Sequence, residues 1–245
     1  MIITSLENER IKKYVRLKSK KYRDQESLFL VEGFHLVEEA YKANLIDEMI
    51  LVEGETCPYD FPFFYVTEEV MKKLTMMETP SRVMAVCHKK EMNVDLGKHL
   101  LLLDEIQDPG NLGTIIRSSK AFDVDTIILG DNSCDLYNPK VLRSTQGMAF
   151  HINIIRENLV EFILKLKKEK IPIYGTKVDG GINVSTLSKI QKEKYALVMG
   201  NEGNGVSSDI LDLCDQYLYI PMNKEVESLN VGIATSILLY ELNRR

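Results

Sequence analysis

The segment LLLLDEIQDPGNLGTIIRSSKAF, residues 100–122, joins an apolar run to a helical pattern across a polar turn. Its first seven residues read as a buried strand. Pro109 and Gly110 then form a tight turn, and Asn111 stands where a side chain can cap the following helix. Arg117 falls about two turns into that helix among apolar neighbours, and such a cation commonly contacts a phosphate or a carboxylate. The segment predicts a strand followed by a helix, with a polar loop between them.

The same alternation of apolar runs and helical stretches recurs over the rest of the C-terminal region. Parallel strands need crossover connections, so strands that alternate with helices predict a mostly parallel sheet covered on both faces. The fold class is therefore α/β. The further apolar runs are residues 124–130, 150–155, 171–178, 195–200 and 216–222.

The first ninety residues predict a separate, smaller α/β unit. Around residues 89–98 the pattern becomes polar and aperiodic, which is typical of a linker. We therefore expect two domains, residues 1–92 and residues 99–245. The small unit is predicted to have helices at 7–19, 34–43 and 67–74, and strands at 28–33, 46–53, 62–66 and 82–90.

Composition limits the class of protein. The chain has 245 residues, of which 44% are hydrophobic and 27% charged, so a disordered or fibrous protein is excluded. No apolar run approaches the roughly 18 residues that cross a bilayer, and the N-terminus lacks the apolar core of a secretion signal. We expect a cytoplasmic protein with no membrane partner.

Metal chemistry has little support in the sequence. The four cysteines, Cys57, Cys87, Cys134 and Cys214, contain no CxxC pair, and the four histidines contain no HExxH. We expect the cysteines to be small apolar side chains and expect no metal site.

Positive charge is concentrated near the N-terminus. Residues 10–23 hold eight of the 31 Lys and Arg residues and no acid, which leaves 23 cations against 36 acids elsewhere. Such a block either binds a polyanion or forms a solvated helix face. Tyr14 and Tyr22 lie among the cations and could stack on unpaired bases, which favours RNA. The candidate RNA-binding residues are Arg10, Lys12, Lys13, Arg16, Lys18, Lys20, Lys21 and Arg23.

Two further loops follow predicted strands. In VMGNEGNGVS, residues 198–207, the glycines match neither GxGxxG nor the Walker pattern, but they allow a ligand to approach the backbone closely, and Glu202 adds a carboxylate. In IPMNKEVESLNVGIATSILLYEL, residues 220–242, Ser228 and Asn230 are candidate helix caps. The helix from residue 231 to 242 lacks a polar stripe, so we expect it in the core or against a second subunit.

The motifs DPGNLGTIIRS, GNEGNGVS and IPM followed by ESLNV, in this order, resemble the SpoU/TrmH family of SPOUT methyltransferases. The resemblance covers residues 99–245, and the N-terminal unit resembles the substrate-binding domain of rRNA-directed members. It implies a sheet with a C-terminal trefoil knot, which is a rare exception to unknotted folds, and a homodimer formed through the C-terminal domain. It also implies methyl transfer from S-adenosyl-L-methionine to a ribose 2′-hydroxyl of RNA.

The resemblance also assigns site residues. Val206 and Gly232 depart from the leucine and serine common in the family, but neither is a reacting group. The implied cofactor-binding residues are Thr176, Gly200, Asn201, Gly203, Ile220, Met222 and Leu229. The implied catalytic residues are Arg117, Asn111, Glu202, Ser228 and Asn230.

Arg117 is the family's candidate base, but a guanidinium is effectively always protonated. We therefore expect it to bind a phosphate and polarise the hydroxyl, and 23S rRNA is the expected substrate. The alternatives are a tRNA ribose methyltransferase, a catalytically inactive RNA-binding or ribosome-assembly factor of the same fold, and a base methyltransferase of the superfamily.

Overall fold

The computed structural model describes residues 2–90 and 95–244, and these form two compact units. The first unit comprises residues 1–91 and 135–150, and the second comprises residues 92–134 and 151–245. Part of the predicted linker, residues 91–94, lies outside the described residues. The sequence predicts two continuous domains, whereas the structure groups residues 135–150 with the first unit.

The first unit contains a mixed five-stranded sheet in the order β1-β4-β3-β5-β2. Strand β5 runs antiparallel to both β2 and β3, whereas β4 pairs in parallel with β1 and β3. The strands are β1 (Ile2–Ile3), β2 (Leu28–Glu32), β3 (Ile46–Val52), β4 (Phe63–Val66) and β5 (Val83–His88). The helices of residues 1–90 are α1 (Glu9–Arg16), α2 (Lys20–Glu26), α3 (Phe34–Lys42) and α4 (Glu68–Leu74).

The helix predicted at residues 7–19 is present as the shorter helix α1, and a second helix, α2, which was not predicted, follows it in the basic segment. Asn8 caps α1 with its side chain, α1 ends at Arg16, and α2 begins after Ser19. Ile11 and Leu17 are fully buried in the core of the first unit. Apolar contacts on one side of α1 therefore fix the segment to the sheet, while most of its cations remain at the surface.

The second unit contains a seven-stranded sheet in the order β10-β12-β9-β11-β6-β7-β8, with every strand pair parallel. The strands are β6 (His99–Leu103), β7 (Thr126–Leu129), β8 (Asn153–Arg156), β9 (Ile173–Thr176), β10 (Ile182–Asn183), β11 (Tyr195–Met199) and β12 (Gln216–Tyr219). The helices are α5 (Pro109–Ala121), α6 (Pro139–Ser144), which belongs to the first unit, α7 (Leu159–Lys168), α8 (Lys189–Glu193), α9 (Ser208–Leu211) and α10 (Val231–Asn243).

The prediction of an α/β fold with a mostly parallel sheet is confirmed. All four leucines of β6 have no exposed surface, and side chains alternate between the two faces of a strand. Both faces of this sheet are therefore covered. None of the described helices is long and apolar enough to cross a lipid bilayer.

Strand order decides where the three polar motifs meet. Strands β12, β9, β11 and β6 are consecutive neighbours in a parallel sheet, so their carboxyl ends share one edge. The segments after β6, β11 and β12 carry the three motifs. The first and the last of these motifs are more than 90 residues apart in the sequence. Ligands of such sheets collect beyond this edge.

Candidate active site

A cavity of about 580 Å³ opens in the second unit beyond β9, β11 and β12. Apolar side chains such as Leu218 and Leu238 lie on one part of its wall, and Glu227 and Asp179 contribute carboxylates. All seven residues expected to bind a cofactor line this cavity, namely Thr176, Gly200, Asn201, Gly203, Ile220, Met222 and Leu229. Glu202 and Ser228, expected at the reacting centre, line it as well.

The glycine-rich loop, residues 200–207, folds back on itself directly after β11. Asn201 and Gly205 exchange two backbone hydrogen bonds, at 2.9 and 3.0 Å. A Cβ atom on Gly200 would lie 2.0 Å from the carbonyl carbon of Gly205. The close approach of the two backbones therefore requires glycine at position 200. In the sequence, the glycine-rich motif of residues 198–207 indicates such an approach.

The start of α5 differs from the sequence prediction. Asp108 caps the helix, because its carboxylate accepts a hydrogen bond from the backbone N–H of Asn111 at 2.8 Å. Asn111 was expected to be the cap, but it is the third residue of the helix, after Pro109 and Gly110. Proline at the first helical position fits this arrangement, since its missing N–H would have no partner there. The Asn111 side chain is consequently available to other partners.

A chain of hydrogen bonds joins the three motifs beside the cavity. The Nδ2 of Asn230 donates to Oδ1 of Asn111 at 2.9 Å, and the Nδ2 of Asn111 donates to Oε1 of Glu202 at 3.1 Å. Glu202 also accepts from the backbone N–H of Asp108 at 3.3 Å. Asn230 caps α10 by accepting from two backbone N–H groups, which confirms its expected capping position. Each motif thus orients a polar side chain of another.

Arg117 stands apart from this chain of hydrogen bonds. It is exposed on α5, six residues after Asn111. Within residues 2–90 and 95–244, none of the hydrogen bonds made by Glu202, Asn111 or Asn230 involves Arg117. Ser228 lies on the cavity wall and, contrary to the capping expectation, precedes the true cap Asn230. The structure therefore brings three of the five expected catalytic residues into hydrogen-bond contact.

Helix α10 packs along α5. The hydroxyl groups of Ser118 and Ser236 lie 2.6 Å apart, and a Cβ on Gly232 would lie 3.1 Å from the methyl group of Thr114. The departure from serine at position 232 therefore fits a close helix contact. Two apolar side chains of α10 remain exposed: Ile233 is 53% exposed, and Tyr240, whose ring meets that of Phe122, is 48% exposed.

Sequence reasoning missed several residues that organise the site. Asp104 is 7% exposed, and its carboxylate accepts from the backbone N–H of Ser207 at 2.8 Å. Glu105 adopts a left-handed backbone conformation, with φ of 55°. The signal available in the sequence was the abrupt change from four leucines to two acids.

The basic segment of the first unit is largely neutralised. Arg10 pairs with Glu48, Lys12 with Glu7 and Glu9, Lys13 with Glu26, and Lys20 with Asp24. Lys18 donates to the carbonyl of Thr75 at 2.7 Å, and burial lowers the pKa of its ammonium group. The guanidinium carbon of Arg16 and the ammonium nitrogen of Lys21 lie 5.7 and 5.9 Å from the ring centre of Tyr22.

Two expectations for this segment need correction. Arg23 is 5% exposed and pairs with Asp135, while also donating to the carbonyls of Leu17 and Lys18. Tyr14 is 5% exposed and donates its hydroxyl proton to Glu48. Arg23 therefore cannot reach RNA and Tyr14 cannot stack on a base, because acids distant in the sequence hold both side chains inside the fold.

None of the four cysteines forms a disulfide, and Cys87 is fully buried. Burial raises the pKa of Cys214 to about 11, so this thiol is protonated at neutral pH and is a weak nucleophile. One group with ligand-like spacing, His35, Glu38 and Glu39, occurs among the described residues, but Lys42 already pairs with both glutamates. Neither feature belongs to the cavity.

Comparison with known families assigns the class of protein. Residues 98–240 match the SpoU rRNA Methylase family, and residues 8–85 match the MRM3-like substrate binding domain. The chain belongs to the SpoU rRNA methylase family and is an RNA methyltransferase.

Individual relatives extend over the whole chain. It is 41% identical to the 23S rRNA (guanosine(2553)-2′-O)-methyltransferase RlmP of Bacillus subtilis over 98% of both chains. A TrmH-family structure from Porphyromonas gingivalis is 32% identical, with a TM-score of 0.87 over 98% of this chain and 99% of that one. The AdoMet-bound rRNA methyltransferase of Sinorhizobium meliloti is 28% identical, with a TM-score of 0.86 over 100% of this chain and 97% of that one.

Proposed function

We propose that this protein transfers a methyl group from S-adenosyl-L-methionine to a ribose 2′-hydroxyl of 23S rRNA. The observation that carries the proposal is the hydrogen-bonded group Asn230, Asn111 and Glu202 at the edge of the cavity. The relative from Bacillus subtilis is named for guanosine 2553, so the corresponding guanosine is the first candidate target.

The cavity residues fit S-adenosyl-L-methionine. Apolar walls and close-packed backbone suit a flat adenine ring, and carboxylates suit the positive charges of a sulfonium and an amino group. When bound, the cofactor supplies an electrophilic methyl group. We assign its binding to Thr176, Gly200, Asn201, Gly203, Ile220, Met222 and Leu229.

The chain's own residues then position the attacking hydroxyl. A ribose hydroxyl is a weak nucleophile, so its orientation and the charge that develops on its oxygen both limit the rate. We assign to Asn111 and Asn230 the positioning of the ribose hydroxyl. Glu202 accepts a hydrogen bond from the Asn111 amide and so fixes its orientation, and Ser228 lies on the cavity wall. We assign phosphate binding and polarisation of the hydroxyl to Arg117, whose guanidinium is a planar donor of several hydrogen bonds.

In the domain organisation that we propose, residues 1–92 bind the RNA substrate and residues 99–245 carry out catalysis. We also propose that the C-terminal segment forms a trefoil knot and that the protein acts in the cytoplasm, where rRNA is modified. A homodimer would cover the exposed apolar side chains of Ile233 and Tyr240 on α10, and this supports a subunit contact through the C-terminal domain.

Within the basic segment, Arg16 and Lys21 are the strongest candidates for RNA contact. We propose that all of the surface cations Arg10, Lys12, Lys13, Arg16, Lys18, Lys20 and Lys21 contribute, but internal partners compete for most of them. Replacing Arg16 and Lys21 together by Gln should weaken RNA binding about tenfold. The slope of log K against log salt should become smaller in magnitude by roughly one to two, because one to two phosphate contacts are lost.

The matched control for this experiment is the double variant Lys12→Gln and Lys20→Gln. It removes the same charge but from side chains that already pair with acids, so we expect a smaller change of slope. Fluorescence anisotropy with an rRNA fragment at several salt concentrations measures the affinity and the salt slope of each variant. Equal slopes for the Arg16 and Lys21 variant and the wild type would refute the assignment.

Methyl transfer from labelled S-adenosyl-L-methionine tests the proposed reaction. We expect label in unmodified 23S rRNA at a single ribose 2′-oxygen, mapped by primer extension at low nucleotide concentration. Label in tRNA would favour a tRNA methyltransferase, and label on a base would favour a base methyltransferase. No label in any RNA would favour an inactive binding or assembly factor.

A further inference from the structure

The DEIQD loop, residues 104–108, and the glycine-rich loop are joined by two sets of hydrogen bonds. In the first, Glu202 accepts from Asp108, and it also accepts from Asn111 at the start of α5. In the second, Asp104 accepts from Ser207 at 2.8 Å, and the Nδ2 of Asn201 donates to the carbonyl oxygen of Glu105 at 3.0 Å. The carboxylate of Glu202 is therefore held by loops that are also bonded to each other directly.

The side chain of Asn201 is committed to this connection. Its Oδ1 accepts from the backbone N–H groups of Gly203 at 2.8 Å and Asn204 at 3.2 Å, while its Nδ2 reaches Glu105. One amide group thus fixes the turn that carries Glu202 and also attaches that turn to the neighbouring loop. Asn201 lines the cavity, but its side-chain amide is occupied by these hydrogen bonds within the protein.

The conformation of Glu105 is an independent sign of this connection. A residue with a side chain rarely adopts φ near 55°, and such a conformation persists where its surroundings hold it. Here the carbonyl accepts from Asn201, and the carboxylate accepts from Nδ2 of Asn132 at 2.6 Å. The DEIQD loop is therefore held by the loop after β11 on one side and by the loop after β7 on the other.

We infer that Asn201 is a positioning residue, whose side chain fixes Glu202 against Asn111 by tying the glycine-rich loop to the carbonyl of Glu105. This inference rests on the proposed function, because it concerns the same reacting centre. A shift of about 1 Å in an orienting group can reduce a rate by up to about 100-fold. Asn201 would then affect turnover more than it affects cofactor affinity.

Two substitutions separate the roles of the amide. Asn201→Asp keeps an acceptor for Gly203 and Asn204 but loses the donor to Glu105, whereas Asn201→Ala loses both. We expect both variants to lower kcat about tenfold at saturating cofactor and RNA, with S-adenosyl-L-methionine affinity changed less than threefold. Wild-type kcat in Asn201→Asp would show that only the local turn matters and would overturn the inference.

Two controls complete the test. Ser208→Asp adds an equal charge at the exposed start of α9, outside the connection, and should leave kcat within twofold of wild type. In a Glu202→Gln background, Asn201→Asp should lower kcat less than twofold further, because the two residues act as one unit. Full additivity of the two effects would contradict action through Glu202.

A readout independent of activity is the exchange of the backbone amides of the DEIQD loop. Hydrogen exchange of peptides spanning residues 100–112 should be at least tenfold faster in Asn201→Asp than in wild type or Ser208→Asp. Unchanged exchange would overturn the inference even if activity fell. If the wild type transfers no methyl group to RNA, the proposed function fails, whereas the exchange result still decides whether Asn201 ties the loops.

Discussion

Arg117→Ala is expected to lower the rate of methyl transfer by about 100-fold or more while leaving the affinity for S-adenosyl-L-methionine unchanged. The loss corresponds to roughly 3 kcal/mol of transition-state stabilisation, which is typical for removal of one group that stabilises developing charge. Arg117 is exposed and is not among the residues lining the cavity, so neither the cofactor site nor the fold depends on it.

The matched control for Arg117 is Lys120→Ala. Lys120 is another exposed cation on α5, one turn further along. Its removal should leave single-turnover rates within twofold of wild type, with folding stability changed by less than about 0.5 kcal/mol in both variants. Wild-type turnover by Arg117→Ala would refute the role of the guanidinium in positioning the sugar.

Gly200→Ala is expected to abolish cofactor binding and to destabilise the protein by about 3 kcal/mol. The added methyl group would overlap the backbone of Gly205 and Val206 at 2.0–2.3 Å, and backbone atoms cannot move aside as a flexible side chain can. The glycine-rich loop would have to open, which would displace the cavity wall and Glu202 together.

Gly203→Ala provides the comparison for stability. Its Cβ would lie 3.5 Å from the nearest atom, the Oδ1 of Asn201, which is an ordinary van der Waals distance. Chemical denaturation should therefore show a change within about 0.5 kcal/mol for Gly203→Ala and the full loss for Gly200→Ala. Equal stabilities of the two variants would contradict the close packing at Gly200.

The parallel sheet and the position of the polar motifs after its strands could be predicted because they depend on local patterns, whereas the meeting of the three motifs depends on the strand order. Short apolar runs separated by helical stretches specify parallel strands, and polar residues after those strands must gather at one edge. The glycines of residues 200–207 likewise carried their own signal, since only glycine permits the contact at Gly200. These features required no knowledge of which residues pair at long range.

The features that could not be predicted depend on distant partners. From the sequence, Arg23 is predicted to be a solvent-facing cation, but its ion-pair partner Asp135 is 112 residues away in the chain. Glu48 likewise holds both Arg10 and Tyr14. The cap of α5 was different, because Asp108 and Asn111 are both good capping residues, and Pro109 at the first helical position was the local sign that favoured Asp108.

Calorimetric titration of the purified wild-type protein with S-adenosyl-L-methionine tests the central claim most directly. That claim is that the segments after β9, β11 and β12 form one cofactor site beside Asn111, Glu202 and Asn230. We predict saturable binding with one site per chain, and loss of that binding in Gly200→Ala. Absence of saturable binding by the folded wild type, or undiminished binding by a folded Gly200→Ala variant, would contradict it.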